Sequence, residues 1–180
     1  MKIVLTGMKH CGKSTVGRLL AKRWSCPFAD TDAMLEELFE QNYGEKLDCR
    51  GIFRQYGEEF FRNLEAEVIE RLRNGRPMKS RVIALGGGLP MNSAVSALLP
   101  ELGHIVYLKV APEVIFKRIE ANGLPPYLDA ARPFDSFMEF YREREKVYEN
   151  IAELTVAPEN MPPEETAAAA AQTIESEIRK

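Results

Sequence analysis

Residues 2–15 read KIVLTGMKHCGKST. Residues 2–6 form a short apolar run rich in β-branched side chains, closed by Gly7. Gly7, Gly12, Lys13 and Ser14 then have the spacing G-x-x-x-x-G-K-[ST]. The segment after the loop, KSTVGRLLAKRWS, puts Val16, Leu19, Leu20 and Trp24 on one helical face. A glycine-rich turn between a strand and a helix points its backbone N–H groups inward, and the helix N-terminus adds partial positive charge. This is a cradle for phosphates. In it Lys13 reaches the β- and γ-phosphates of a nucleotide, the Ser14 hydroxyl holds Mg²⁺, and Thr15 donates to the α-phosphate. Gly7, Met8 and Gly12 complete the expected ATP-binding loop. His10 and Cys11 fill variable positions. A thiol near a helix N-terminus can be reactive, but a tolerated small side chain is the favoured reading of Cys11.

Outward from the loop, short apolar strands alternate with helices. Strands are read in PFADTD, RVIALGGG, HIVYLKV and ELTVA. Helices are read in DAMLEELFEQNYG, stopped by Gly44, and over residues 52–75, with Leu64, Val68, Ile69 and Leu72 as the apolar stripe. A further helix is capped by Ser93, another opens at Pro112, another starts at Asp135, and one closes the chain. Residues 122–136 hold Pro125, Pro126 and Pro133 and read as a surface loop. No two strands are joined by a two-residue hairpin, so the pattern predicts a parallel sheet with helices on both faces.

The chain has 180 residues, enough for one domain over 1–180 with a sizeable core. The net charge of −3 lacks the basic footprint of a nucleic-acid binder. Cys11, Cys26 and Cys49 show no C-x-x-C spacing, so neither a disulfide framework nor a zinc site is supported. No apolar run has the length of a membrane span, and residues 1–7, already strand and loop, leave no room for a signal peptide. A cytoplasmic protein is expected, and a monomer, since no unusual apolar stripe argues for an interface.

A phosphate loop alone does not name an acceptor. FADTD brings Asp30 and Asp32 to the carboxyl end of the second strand, beside the loop. One of the two suits the water shell of Mg²⁺, the other a hydrogen bond from an acceptor hydroxyl, while Asp32 also has the place of a helix N-cap. Gly86, Gly87 and Gly88 end the third strand and permit close approach of a small ligand.

Together with IFRQYGEEFFRNLE and REREKVYENIA, these motifs, in this order, resemble the shikimate kinase family over about residues 1–172. The resemblance implies a nucleoside-monophosphate-kinase-like fold. That is a three-layer α/β/α sandwich with a five-stranded parallel sheet in the order 2-3-1-4-5. It also implies transfer of the ATP γ-phosphoryl group to the 3-hydroxyl of shikimate. By resemblance, Asp32 contacts the acceptor hydroxyls and Asp30 lies near Mg²⁺. Arg62 and Arg144 grip the shikimate carboxylate, Gly86–Gly88 wall the same pocket, and Arg118 lies along the adenine. Paired planar guanidinium groups fix a carboxylate bidentately, and Glu65, one turn from Arg62, is placed to hold it. The acceptor-binding helices fall within about residues 32–75, the mobile lid within about 122–136, and VAPENMPPEE resembles the loop near the base.

One position departs from the family. Its members usually carry a lid arginine in a segment R-P-L-L, and here PPYL occupies residues 125–128. Counted back from Tyr148, Pro125 takes the place of the arginine. A proline supplies no charge to a transferring phosphoryl group, a loss of about 3 kcal/mol. Three readings stay open. Arg132, in the same loop, swings in as a catalytic substitute. The acceptor is another small hydroxy acid, such as gluconate. Or the chain is a regulatory module that holds nucleotide and transfers weakly.

Overall fold

Val4 and Ile105 are fully buried in the middle of a parallel sheet whose strand order is β2-β3-β1-β4-β5. The computed structural model describes residues 1–76, 78–125, 128–158 and 161–178. In chain order its elements are β1 (Lys2–Thr6), α1 (Lys13–Arg23), β2 (Phe28–Asp30), α2 (Thr31–Tyr43), α3 (Cys49–Asn74) and β3 (Arg81–Ala84). After two 3₁₀ turns follow α4 (Leu99–Leu102), β4 (His104–Leu108), α5 (Pro112–Ala121), α6 (Pro133–Ile151), β5 (Leu154–Val156) and α7 (Pro163–Ile178).

The central strand shows why the sheet is covered twice. Ile3 and Leu5 pack into one apolar cluster with Val16, Leu20, Phe137 and Ile174. Val4, pointing the other way, packs with Leu35, Ile52, Val68 and Leu99. Leu5 pairs with Ala84 on β3 and with Val106 on β4, so these strands end on one level. The phosphate loop, Thr31, the glycine run and Lys109 therefore emerge at the same carboxyl edge, where parallel sheets gather ligands.

Three elements differ from the sequence reading. The helix expected to be capped by Ser93 is one 3₁₀ turn, Ser96–Leu98, followed by the short α4, and the Asn92 side chain accepts from Ala94 N–H at 3.1 Å to start a turn ahead of it. Helix α3 is broken at Gly57, whose φ of 84° and ψ of 177° only glycine adopts without strain. Helix α6 starts at Pro133, two residues early, since proline is preorganised for the first helical turn. The segments PPYL and VAPENMPPEE each include residues outside the described ones, 126–127 and 159–160 respectively.

Candidate active site

The nucleotide half is built by the turn between β1 and α1. Gly12 opens α1 with φ 99°, and the non-glycine His10 also takes positive φ, 68°, so the loop curls over its own amides. Lys13 is buried and donates to the carbonyls of Gly7 and Met8, each at 2.8 Å. Burial lowers the pKa of His10, and Lys9, Arg50, Lys13 and Arg118 push it down further, a measure of how positive this corner is. Arg118 on α5 donates to His10 O at 2.8 Å, which sets its guanidinium against the loop. Cys11 is 4% exposed, with Lys13 Nζ 3.8 Å from its sulfur, so it behaves as a small packed side chain. A cleft of about 1250 Å³ runs from this loop past Asp30, Asp32 and Gly87 to Val110, Arg118, Met138 and Arg142.

Ser14 Oγ donates to Asp30 Oδ2 at 2.5 Å. The other oxygen of Asp30 accepts from Asp32 N–H at 3.1 Å, so the cap of α2 is Asp30 and not Asp32. That frees the Asp32 carboxylate, which abuts Gly86: a Cβ there would overlap Asp32 Oδ1. Burial raises the Asp32 pKa, Lys13 and Lys9 oppose the rise, and Asp30 and Glu36 add to it. Gly86 is fixed from below by its N–H, which donates to Thr31 Oγ1 at 2.7 Å.

The acceptor half lies across Gly88. A Cβ built on Gly88 would lie 3.6 Å from both Arg62 Nη1 and Arg144 Nη2, so two guanidinium groups from α3 and α6 converge on one glycine. Arg62 donates to Glu65 at 2.9 Å and to Gly88 O at 3.2 Å. Glu65 is 4% exposed and also accepts from Asn92 Nδ2 at 3.0 Å. Burial raises the Glu65 pKa, and the bonds from Arg62 and Asn92 counter it. Arg144 sits 3.9 Å over the ring of Phe140. Tyr148 OH donates to Gly87 O at 2.6 Å and ties the glycine run to α6.

The structure thus brings Gly12, Lys13, Ser14, Thr15, Asp30, Asp32, Gly87 and Arg118 to one cleft, with Arg62, Arg144 and Gly88 adjoining it. Gly7 and Met8 are buried under the loop and serve through the carbonyls that hold Lys13. Arg132 stands apart from the cleft in this ligand-free structure. It does not line the cleft, its side chain is 68% exposed, and its nearest carboxylate is Asp129 at 3.8 Å. As the residue before Pro133 it is the cap position of α6, pointed into solvent. Pro125, by contrast, is buried. Thr31, Asn92 and Tyr148 went unread in the sequence because their work is done across 27–61 residues of chain separation.

A phosphate loop, a half-buried carboxylate and a converging arginine pair, on a 2-3-1-4-5 parallel sheet, define a P-loop kinase of small anionic acceptors. The sequence model of the family described as shikimate kinase matches residues 9–175. A shikimate kinase of Paracidovorax citrulli is 38% identical over 159 residues, 88% of this chain and 83% of the relative. One of Thermoanaerobacter pseudethanolicus is 35% identical, covering 92% of this chain and 91% of the relative. Among solved structures, shikimate kinase from Acinetobacter baumannii in complex with shikimate superposes with a TM-score of 0.83 at 28% identity, covering 99% of this chain and 95% of that one. The chain belongs to the shikimate kinase family.

Proposed function

We propose that this protein transfers the γ-phosphoryl group of ATP to the 3-hydroxyl of shikimate, a step toward the aromatic amino acids. The observation that carries the acceptor is the convergence of Arg62 and Arg144 on Gly88, next to Asp32. Two planar guanidinium groups grip a ring carboxylate and orient the ring, which turns an encounter into a near-attack geometry. Arg62 arrives preorganised, because Glu65 and Gly88 O already hold it.

In the reaction the loop amides and the N-terminus of α1 hold the phosphates, and Lys13 leaves its loop carbonyls for the β- and γ-phosphates. Asp32 accepts the hydroxyl proton as the acceptor oxygen attacks. Its raised pKa suits this, since a carboxylate with more proton affinity is a better general base. Ser14 and Asp30 are already bonded to each other at the phosphate end and fit the ligand sites of Mg²⁺, Asp30 through water. When bound, Mg²⁺ neutralises charge on the β- and γ-phosphates. The lid, residues 122–136, closes to exclude water. Arg118 lies along the base.

The three cysteines, all free, support a reducing, cytoplasmic setting. Among the described residues no helix is long and apolar enough to cross a membrane. A monomer without nucleic-acid partners is the corresponding proposal. An ATP-coupled assay with shikimate tests the function, run beside gluconate and other hydroxy acids. Turnover with shikimate that Lys13→Met abolishes is expected. No turnover at millimolar shikimate overturns the proposal.

A further inference from the structure

With Pro125 at the lid position and Arg132 in solvent, the cleft needs another source of charge for the transferring phosphoryl group. Among the described residues, five cations line the cleft: Lys9, Lys13, Lys109, Arg118 and Arg142. Lys13 is the phosphate-loop lysine. Lys109 is committed to Glu145 at 3.0 Å and Glu149 at 2.8 Å. Arg118 is held by His10 O. Among the described residues, Lys9 and Arg142 have no hydrogen-bond or ion-pair partner.

Position separates these two. Arg142 is carried on α6 beside Tyr141 and Glu145, which bond Val110 O and Lys109 at the end of β4. Lys9 is the third residue of the phosphate loop, exposed to the cleft, with its backbone packed on the glycine run. A Cβ on Gly87 would fall 2.9 Å from Lys9 N and 3.5 Å from Lys9 Cβ. Lys9, Lys13, Asp32 and Gly87 line the same cleft. Lys9 is thus carried on the phosphate loop against the glycine run, in the same cleft as Asp32.

We infer that Lys9 meets the γ-phosphoryl group during transfer and supplies from the floor of the cleft the positive charge that this chain's lid lacks. The inference rests on the proposed kinase reaction. In that step the acceptor oxygen forms a bond to the γ-phosphorus and the bond to the β,γ-bridging oxygen breaks. ADP leaves with that electron pair, and the hydroxyl proton goes to Asp32. Lys9 keeps its protons throughout. Its ammonium stays bonded to the equatorial oxygens while negative charge spreads over them.

The test uses Lys9→Met, Lys9→Gln and Lys9→Arg in the full chain, with two readouts. The first is calorimetric affinity for ADP and for the β,γ-imido analogue of ATP, both with Mg²⁺. The Met and Gln variants are expected to bind ADP as the unaltered protein does and the imido analogue about tenfold more weakly, which also shows that they are folded. The second is turnover with shikimate, where kcat is expected to fall about 100-fold with the shikimate KM little changed, and Lys9→Arg to recover much of the loss. Equal affinities for both nucleotides across the variants, or a kcat within about threefold of the unaltered protein, overturn the inference. If the unaltered protein does not phosphorylate shikimate, the proposed function falls, while selective weakening of the imido analogue still assigns Lys9 to the γ-phosphate.

Discussion

Replacing Gly86 with alanine probes the acceptor side through one methyl group. The new Cβ overlaps Asp32 Oδ1 and lies 3.2 Å from Asp32 Cγ. The backbone has little room to yield. Gly86 N–H donates to Thr31 Oγ1 at 2.7 Å, and Leu85 N–H donates to Leu5 O at 3.0 Å in the sheet. The Asp32 carboxylate is the soft partner and must retreat by about 1 Å, a misplacement that costs about 100-fold in rate. In barrier height that is about 2.7 kcal/mol. The loss falls on kcat, since Lys13 and Ser14 are untouched and ADP affinity by calorimetry is expected to hold. A cycle with Asp32→Ala isolates the route: where the carboxylate is already gone, the extra methyl removes little more. A Gly86→Ala enzyme with kcat within about threefold of the unaltered one refutes the reasoning, as does a full additional loss in the Asp32→Ala background.

Three further outcomes are expected. Burial raises the Asp32 pKa in the folded chain, so the folded state binds more protons than the unfolded one between the ordinary carboxylate range and the raised value. The acceptor-free protein therefore loses stability as pH climbs through that window, and Asp32→Asn removes the loss; each kcal/mol recovered raises Tm by about 2–4 °C. Thermal melts across the window check this, and a lower Tm for Asp32→Asn at neutral pH contradicts it. Gly57→Ala places a side chain at φ 84°, which costs about 1–2 kcal/mol in urea unfolding and turns the helix segment bearing Arg62, so the acceptor KM rises more than the ATP KM. Arg132→Ala changes kcat for shikimate by less than about threefold; a loss near 100-fold would show that the lid does carry this arginine inward.

The phosphate loop and the layered parallel sheet were legible because their signals are local. Loop spacing, apolar runs and helix periods each span a few residues, and β1 through α1 contains them all. The acceptor side is different in kind. Arg62 pairs with Glu58 and Glu65 at helical spacing, and on the same helix Arg71 pairs with Glu67, and Arg73 with Glu70, in the same way. Nothing local distinguishes the three. What sets Arg62 apart is a buried Glu65, a bond to Gly88 O 26 residues away and a second arginine arriving from α6. Such a site is read from a sequence only through family resemblance. The kink at Gly57 escaped even that, since a helical pattern continues on both sides of it.

Asp30 and Asp32 show how one residue step divides the work. Asp30 takes the cap of α2 and the bond from Ser14, so it is held at the phosphate end by two neighbours. Asp32, relieved of capping, keeps its carboxylate against Gly86 with a raised pKa. The lid follows the same division. A lid arginine brings charge only on closure, so water exclusion and charge stabilisation arrive together. Here Pro125 is buried and α6 begins at Pro133, so on the proposed function a lid over this segment would seal the cleft by packing. With Lys9 on the loop itself, the charge is present before the lid moves. Under the proposed function and the Lys9 inference, closure would then control access of water and not the electrostatics of transfer.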